Sequence, residues 1–286
     1  MPIFTLPGSS RALSYHLDEK PKGGSVVLLA NSLCVPFTVW HRVRDVLNQN
    51  GFRTLRYDQP GHGQSSVPDD LSTTSFTSLA KDARDLLEGL NIQHLHAWIG
   101  VSMGAATGFY FVTQNPQVVK RFVACDTISC SAVNAGIDDP FAPRVESVRR
   151  EGNVDKLIQG TLKRWLGKSF LEKNPEESSH LKELMSHISL DGFETCCHAL
   201  RSESFDLRPL FSQVGASVED ALCIVGEKDA NLPETMKTMS GEMEKGFNSA
   251  GRPRNVELVV IKDAGHVCFI DGFEQFCQTV LSFLNA

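Results

Sequence analysis

The sequence lacks the features that place a protein in a membrane or on a nucleic acid. No apolar run among its 286 residues is long enough to span a bilayer. The residues from Met1 to Lys20 contain no basic segment followed by an unbroken apolar one, so we expect no secretory signal. The 34 acidic and 28 basic residues are interspersed and sum to a formal charge of -6, which argues against nucleic acid as a partner.

The eight cysteines show no arrangement typical of a metal site or a redox motif. None belongs to a C-x-x-C pair, and none lies at metal-ligand spacing from a histidine. We therefore expect a reduced, cytoplasmic protein with no Cys/His metal site. A disulfide between cysteines that meet in space stays open, whereas the length of the chain excludes a small disulfide-stapled scaffold.

The chain is long enough, with 41% hydrophobic residues, for one large core and an inserted subdomain. Short apolar segments alternate with segments of helical periodicity, which predicts an α/β fold with a mostly parallel sheet covered by helices. The predicted strands that read as buried on both faces are Ser25 to Ala30, Arg53 to Tyr57, Leu95 to Ile99, Arg121 to Cys125, Ala221 to Val225 and Val256 to Ile261. Alternation from Arg11 to Leu17 predicts an antiparallel edge strand.

Helical periodicity also predicts helices that turn one apolar stripe to the sheet, at Thr38 to Gln49, Ser75 to Leu90, Met103 to Gln114 and Gly272 to Leu284. The alternation of strands and helices is interrupted between residues 131 and 210, where amphipathic helical segments occur without a buried strand. We predict a helical cap here, inserted into a core formed by residues 1–130 and 211–286. Within it, Leu157, Ile158, Leu162 and Trp165 form an apolar stripe that must cover either the core or a pocket.

The candidate nucleophile is Ser102, in the segment Gly100-Val101-Ser102-Met103-Gly104. A predicted strand runs directly into this segment and a predicted helix follows it. A nucleophilic serine on such a sharp turn needs small residues two positions away on each side, and the two glycines meet that need. A glycine-rich turn without catalytic function is the alternative, since the pattern G-x-S-x-G alone also occurs by chance.

A serine hydroxyl needs a base, and an imidazole is the usual base near neutral pH. Among the nine histidines, His266 follows a predicted strand through a short loop and precedes the last helix. Asp229 is the predicted acid, because it follows the strand ending at Val225 and the chain order Ser, Asp, His is the one found with this turn. Asp126 competes for that role, since it follows a strand in the same way.

Acyl transfer also requires hydrogen-bond donors where negative charge develops, usually two backbone amides. We assign one to Met103, directly after the nucleophile, and the other to Leu33 in the loop after the first buried strand. Ser32 of that loop is predicted to contact the substrate. His62, in Gly61-His62-Gly63, is interpreted as part of a structural turn and not as a second catalytic histidine.

Together these segments resemble the α/β-hydrolase superfamily, and within it most closely the 3-oxoadipate enol-lactonases. The resemblance covers nearly the whole chain. It is carried by Leu29 to Leu33, Leu55 to Ser66, Gly100 to Gly104, Cys125 to Thr127, Gly226 to Asp229, Ala264 to His266 and, in the inserted segment, Arg164 to Leu166 and Gly192 to Leu200.

The resemblance implies an α/β-hydrolase fold with an inserted helical cap and water-dependent opening of an enol-lactone through an acyl-serine, without metal or cofactor. The partners would be a small-molecule substrate and water. The match of Arg164-Trp165-Leu166 favours contact between Trp165 and the ligand. Two departures occur near the expected pocket: Gln59-Pro60 replaces the usual residues before Gly61, and Cys34 stands where a glycine is expected after Leu33. Another lactone or an ester therefore stays open as the substrate.

Two other functions remain open at this stage. The same serine, histidine and amides are suited to hydrolysis of a carbon–carbon bond in a β-diketone or a polyketide-like metabolite. A non-hydrolytic member of the fold would instead bind a ligand or catalyse ring formation. A dimer through a sheet edge or through the cap also stays open.

Overall fold

The computed structural model describes all 286 residues and contains one eight-stranded sheet. The strands, in chain order, are β1 (Ile3–Thr5), β2 (Ala12–Leu17), β3 (Val26–Ala30), β4 (Arg53–Tyr57), β5 (Leu95–Val101), β6 (Val119–Cys125), β7 (Asp220–Gly226) and β8 (Leu258–Ile261). Their order across the sheet is β1-β2-β4-β3-β5-β6-β7-β8, with β1 and β2 antiparallel and the remaining strands parallel. The predicted mostly parallel sheet is confirmed.

Both edges of the sheet differ from the sequence prediction. The segment predicted as the edge strand is β2, but β1 pairs with it from outside, so β2 is the second strand and β1 the edge. At the opposite edge β8 is shorter than predicted and is not buried on both faces, since Val260 is exposed. An edge strand has a neighbour on one side only, so its side chains are less completely covered than those of the central strands.

The helices, in chain order, are α1 (His41–Gln49), α2 (Phe76–Gly89), α3 (Met103–Gln114), α4 (Ala132–Ala135), α5 (Ala142–Glu151), α6 (Asp155–Lys173), α7 (Pro175–Ser186), α8 (Leu190–Arg201), α9 (Arg208–Ser217), α10 (Leu232–Ser249), α11 (Cys268–Asp271) and α12 (Phe273–Asn285). Helices α1 and α12 pack against each other, whereas α2, α3, α9 and α10 form a second row. The central helix α3 is buried along most of its length because it lies directly on the sheet.

Six helices, α4 to α9, connect β6 to β7. The long helix α6 is interrupted at Gly167, whose φ of 72° and ψ of 159° are not helical. Glycine has no Cβ and adopts a positive φ without the steric cost that other residues carry. No helix of the structure combines the length and the apolar character that crossing a membrane requires.

Candidate active site

Ser102 occupies a tight turn between β5 and α3. Its φ of 54° and ψ of -116° fall in a region that is costly for a residue with a side chain. Its amide donates to the Cys125 carbonyl at 2.8 Å, and its own carbonyl accepts a hydrogen bond from the Thr127 hydroxyl at 3.0 Å. Because the backbone is held on both sides, the turn keeps its strained geometry, and the serine side chain is not used to cap the helix.

The flanking glycines are required by close backbone contacts. A Cβ added to Gly100 would lie 2.4 Å from the Gly104 carbonyl oxygen. One added to Gly104 would lie 2.2 Å from the Ala30 carbonyl oxygen, on the neighbouring strand β3. The turn therefore has no room for larger residues beside Ser102, which is the physical reason for the glycine spacing in the sequence.

The structure joins His266 directly to Asp229. The Nδ1 atom of His266 lies 2.7 Å from Oδ2 of Asp229, and the two side chains are mostly buried. Asp229 follows β7 and His266 follows β8, and the amide of Lys228 donates to the Ala264 carbonyl at 2.8 Å, which holds the two loops together. A carboxylate on Nδ1 holds the imidazole in the tautomer whose Nε2 can accept a proton.

Asp126, the competing acid, is fully buried and serves a different set of partners. Its Oδ1 accepts a hydrogen bond from the Gly226 amide at 2.8 Å, and it bonds to no histidine. Burial, followed by the negative charge of Asp229, raises the pKa of Asp126 well above its usual value. The geometry therefore separates two aspartates that the sequence placed at similar strand ends.

A cavity of about 300 Å³ brings the predicted site residues together. This volume lies at the lower end of the range of roughly 300–1,000 Å³ found for small-molecule pockets, which suits a small metabolite. The members of the lining that the sequence predicted are Ser32, Leu33, Ser102, Met103, Leu157, Trp165, Asp229 and His266. Their side chains or backbones come from both the sheet loops and the helices between β6 and β7.

Two backbone amides at this cavity are available as donors. The amide of Leu33 donates no hydrogen bond within the protein. Met103 is the first residue of α3, where backbone amides have no acceptor inside the helix. The start of a helix also favours negative charge, through the alignment of its peptide dipoles.

Trp165 lines the cavity from α6 and is 4% exposed. Its ring centroid lies 5.6 Å from that of His266. The predicted apolar stripe is divided by the structure: Leu157 also lines the cavity, whereas Ile158 and Leu162 are buried away from it. One helix thus packs into the protein with one part of its apolar surface and faces the cavity with another.

A larger groove of about 630 Å³ lies at the opposite ends of the strands. Residues at the beginnings of β3, β5 and β6 line it, and none of the predicted site residues does. In a parallel sheet with crossover helices, ligands bind at the carboxyl ends of the strands, where the 300 Å³ cavity lies. The smaller cavity is therefore the candidate active site.

Comparison with known proteins shows the family to which this fold and site belong. Residues 25–273 match the family model of the alpha/beta hydrolase fold, which is well over half of the chain. The chain belongs to the α/β-hydrolase family. The predicted fold class is thereby confirmed.

This α/β-hydrolase is similar to enol-lactonases in sequence and in structure. It is 26% identical over 276 residues to 3-oxoadipate enol-lactonase 1 of Acinetobacter baylyi, covering 96% of this chain and 94% of the relative. It is 27% identical over 233 residues to 3-oxoadipate enol-lactonase 2 of the same organism, covering 80% and 82%. The crystal structure of the enol-lactonase from Burkholderia xenovorans superposes with a TM-score of 0.85 at 26% identity, with both chains covered completely.

Two basic residues of the hydrolase's cavity were not predicted as site residues. Arg144 of α5 and Arg164 of α6 both line it, and neither side chain forms an ion pair or a hydrogen bond within the protein. Partial burial, followed by the positive charge of Arg144, lowers the pKa of Arg164. Part of the Arg164 residue is nevertheless exposed to solvent.

The sequence gives Arg144 no local signal and singles out Arg164 only within Arg164-Trp165-Leu166, since each stands on the surface of an amphipathic helix among other charged residues. The sole acid in the cavity lining is Asp229, whose carboxylate is engaged by His266. The cavity therefore carries two guanidinium groups without a direct ion-pair partner. Nowhere in the hydrolase do three or more His, Cys, Asp or Glu side chains form a group that could hold a metal ion.

Proposed function

We propose that the chain is a serine hydrolase that opens a lactone, or cleaves an ester, of a small organic acid through an acyl-serine intermediate. The observation that supports this most is the convergence on one cavity of a strained serine turn, a histidine held by a carboxylate at 2.7 Å and two amides free to donate. Ser102, His266 and Asp229 would form the catalytic triad, and the amides of Leu33 and Met103 the oxyanion hole.

In the first half of the reaction, the Ser102 hydroxyl oxygen attacks the substrate carbonyl carbon while Nε2 of His266 takes the hydroxyl proton. Asp229 stabilises the imidazolium that forms, through the bond to Nδ1. The carbonyl oxygen becomes an oxyanion and accepts hydrogen bonds from Leu33 and Met103. When the intermediate collapses, the ester oxygen of the substrate leaves and receives the proton from His266; in a lactone it stays tethered to the acyl group.

In the second half of the reaction, a water molecule is the nucleophile. His266 removes a proton from the water, whose oxygen attacks the acyl carbon, and the same two amides stabilise the second oxyanion. The Ser102 oxygen leaves with the proton returned by His266. The products are a free carboxylate and the alcohol, or the enol that becomes a ketone.

We further propose that the segment 131–210 acts as a cap over Ser102, with Trp165 in contact with the ligand. Support comes from its helices α5, α6 and α8, each of which contributes to the cavity lining. A roof of this kind would exclude water and hold the substrate carbonyl against the oxyanion donors. Ser32, whose buried hydroxyl has no partner in the protein, would hydrogen-bond the bound substrate.

An anionic substrate is favoured by the two unpaired arginines. Guanidinium groups bind carboxylates through paired, charge-assisted hydrogen bonds. Arg144 and Arg164 stand in a cavity whose single acid is already engaged. A carboxylate on the substrate would neutralise them and fix its orientation, and the likeness to 3-oxoadipate enol-lactonases supports a lactone as the reacting group.

The test is turnover of matched compounds by the purified protein and by its Ser102→Ala variant. The panel contains small esters and lactones, with and without a carboxylate, and β-diketones. We expect hydrolysis of carboxylate-bearing lactones or esters by the wild type alone. Cleavage confined to β-diketones would favour carbon–carbon bond hydrolysis, and Ser102-dependent turnover of none of these compounds would favour a ligand-binding or ring-forming protein.

A further inference from the structure

The turn Gln59 to His62 packs beneath the loop that carries the Leu33 amide. The Gln59 side chain donates from Nε2 to the Asn31 carbonyl at 2.8 Å. The Cys34 amide donates to Nε2 of His62 at 2.9 Å. Two side chains of one turn thus hold the backbone of another loop, and neither of them lines the cavity.

These two bonds fix the peptide groups on either side of the proposed oxyanion donor. The Asn31 carbonyl belongs to the peptide between Asn31 and Ser32. The Cys34 amide belongs to the peptide between Leu33 and Cys34. The peptide between them, Ser32–Leu33, carries the Leu33 N–H, so its orientation follows from the two that are held.

Cys34 makes this support necessary. Its φ of 76° is a left-handed conformation that favours glycine, and a side chain at such a position is strained. A residue persists there when surrounding structure overdetermines it. The hydrogen bond from the Cys34 amide to His62 supplies that constraint at the strained residue itself.

His62 is suited to accept this bond permanently. It is 1% exposed, and burial lowers its pKa to about 4, so the ring is neutral near physiological pH. Its Nδ1 lies 3.0 Å from the Pro60 carbonyl oxygen, which can only accept, so Nδ1 carries the proton and donates. Nε2 is then an acceptor, as the Cys34 amide requires.

We propose that His62 and Gln59 are positioning residues for the oxyanion hole, which aim the Leu33 amide at the developing negative charge through Cys34 and Asn31. The inference rests on the proposed function, because it presupposes that Leu33 is an oxyanion donor. It also connects the two departures from the enol-lactonase pattern, because Gln59 bonds one end of the Asn31 to Cys34 loop and His62 of the same turn bonds Cys34 at the other end.

The experiment compares His62→Phe, which keeps a ring but removes the acceptor, with His62→Gln, whose amide oxygen can replace Nε2. Gln59→Met removes the other bond. His96→Phe is the matched control, because His96 likewise bonds the backbone through a ring nitrogen, with Nε2 3.0 Å from the Leu284 carbonyl oxygen, but lies at the opposite end of the strands. Each variant is assayed for kcat, KM, thermal unfolding and inhibition by a boronic acid that forms a tetrahedral adduct with the serine.

We expect His62→Phe and Gln59→Met to lower kcat about tenfold or more, which is part of the 10²–10³ lost when an oxyanion donor is removed. KM should change little, since the donor acts mainly in the transition state. The inhibition constant of the boronic acid should rise in proportion to the loss of kcat/KM. His62→Gln should recover most of the activity, and His96→Phe should retain it.

Folded His62→Phe and Gln59→Met variants with wild-type kcat and wild-type boronate inhibition would overturn the inference. The inference would also be overturned if His96→Phe lost as much kcat as the other variants and if the loss of kcat in each variant matched its loss of thermal stability. If His62→Phe does not fold, Gln59→Met and His62→Gln decide the result. A fluorophosphonate probe of Ser102 separates the two proposals: an unlabelled, inactive wild type refutes the proposed function and this inference with it, whereas a labelled, active wild type leaves the function standing.

Discussion

Trp165 and His266 are joined through both their backbones and their rings. The Trp165 carbonyl accepts a hydrogen bond from the His266 amide at 2.9 Å, and the two ring centroids are 5.6 Å apart. A continuous helix would direct this carbonyl to an amide four residues later, but the non-helical backbone of Gly167 breaks that path. A Cβ on Gly265 would lie 1.9 Å from the same carbonyl oxygen, so the approach requires glycine.

Because of this contact, we expect Trp165 to influence substrate positioning more than stability. Trp165→Ala should lower kcat/KM for a carboxylate-bearing lactone far more than for a small activated ester, which needs little positioning. Leu162→Ala on the same helix is the control: Leu162 is buried but does not line the cavity, so its loss should cost about 2–5 kcal/mol of stability without changing the ratio of the two rates. Equal losses on both substrates for Trp165→Ala, with a lower Tm, would make Trp165 a packing residue.

Ser102→Ala removes the proposed nucleophile while leaving the turn intact. We expect kcat to fall roughly a million-fold if the three residues act as a unit. Burst kinetics and mass spectrometry of the acylated wild type provide the positive signal. Near wild-type turnover by a folded Ser102→Ala protein would refute the assignment.

The two aspartates should respond differently to the same substitution. Asp229→Asn leaves a side chain of the same shape but disturbs the His266 tautomer, so we expect kcat to fall on the order of ten-thousand-fold. Asp126→Asn should stay within about tenfold of wild type, since losses of 10² or more belong to groups that act on the reacting atoms. An inactive Asp126→Asn beside an active Asp229→Asn would reverse the assignment of the acid.

Asp126 should also give stability a distinctive pH dependence. Its pKa is raised in the folded protein by burial and next by Asp229, whereas an unfolded aspartate has a pKa of about 3.9. The unfolded chain then binds fewer protons than the folded one above that value, so this group lowers stability as pH rises. Asp126→Asn cannot ionise, and we expect it to be at least as stable as wild type at pH 7, with the difference disappearing towards pH 4.

Thermal unfolding of both proteins between pH 4 and pH 8 checks this expectation. The difference between the two curves reports Asp126 together with its interaction with Asp229, because the other buried carboxyl groups are common to both. A wild-type advantage that grows with pH would mean that the ionised carboxylate stabilises the fold.

The two cavity arginines should determine selectivity for charged substrates. Arg144→Gln and Arg164→Gln should each lower kcat/KM for a carboxylate-bearing substrate about tenfold, equivalent to 1.4 kcal/mol, while the rate for its neutral methyl ester changes little. Arg150→Gln, on the exposed side of α5, is the control. Parallel losses on charged and neutral substrates would show that the arginines do not bind the carboxylate.

Much of the architecture could be predicted because its signals are local. The strands β3, β5, β6 and β7 read as short, mostly apolar segments, and the helices α1, α2 and α12 as single apolar stripes. The single stripe predicted for α3 was wrong, because this central helix is buried on nearly all sides. The prediction of the two edge strands was wrong for a physical reason. The strands β1 and β8 have only three and four residues, which is too short for a recognisable pattern, and their position in the sheet depends on the strand with which they pair.

The sequence by itself predicted the serine turn, because the strand, the two glycines around Ser102 and the helix are adjacent in the chain and the turn has no room for larger residues at the two glycines. It favoured Asp229 over Asp126 through chain order alone, since both follow parallel strands and therefore reach the same edge of the sheet. Only the tertiary structure decided which carboxylate meets His266. The same holds for Arg144 and Arg164, and for the contact of His62 with Cys34, since residues distant in the chain share a cavity or a hydrogen bond only after the chain has folded.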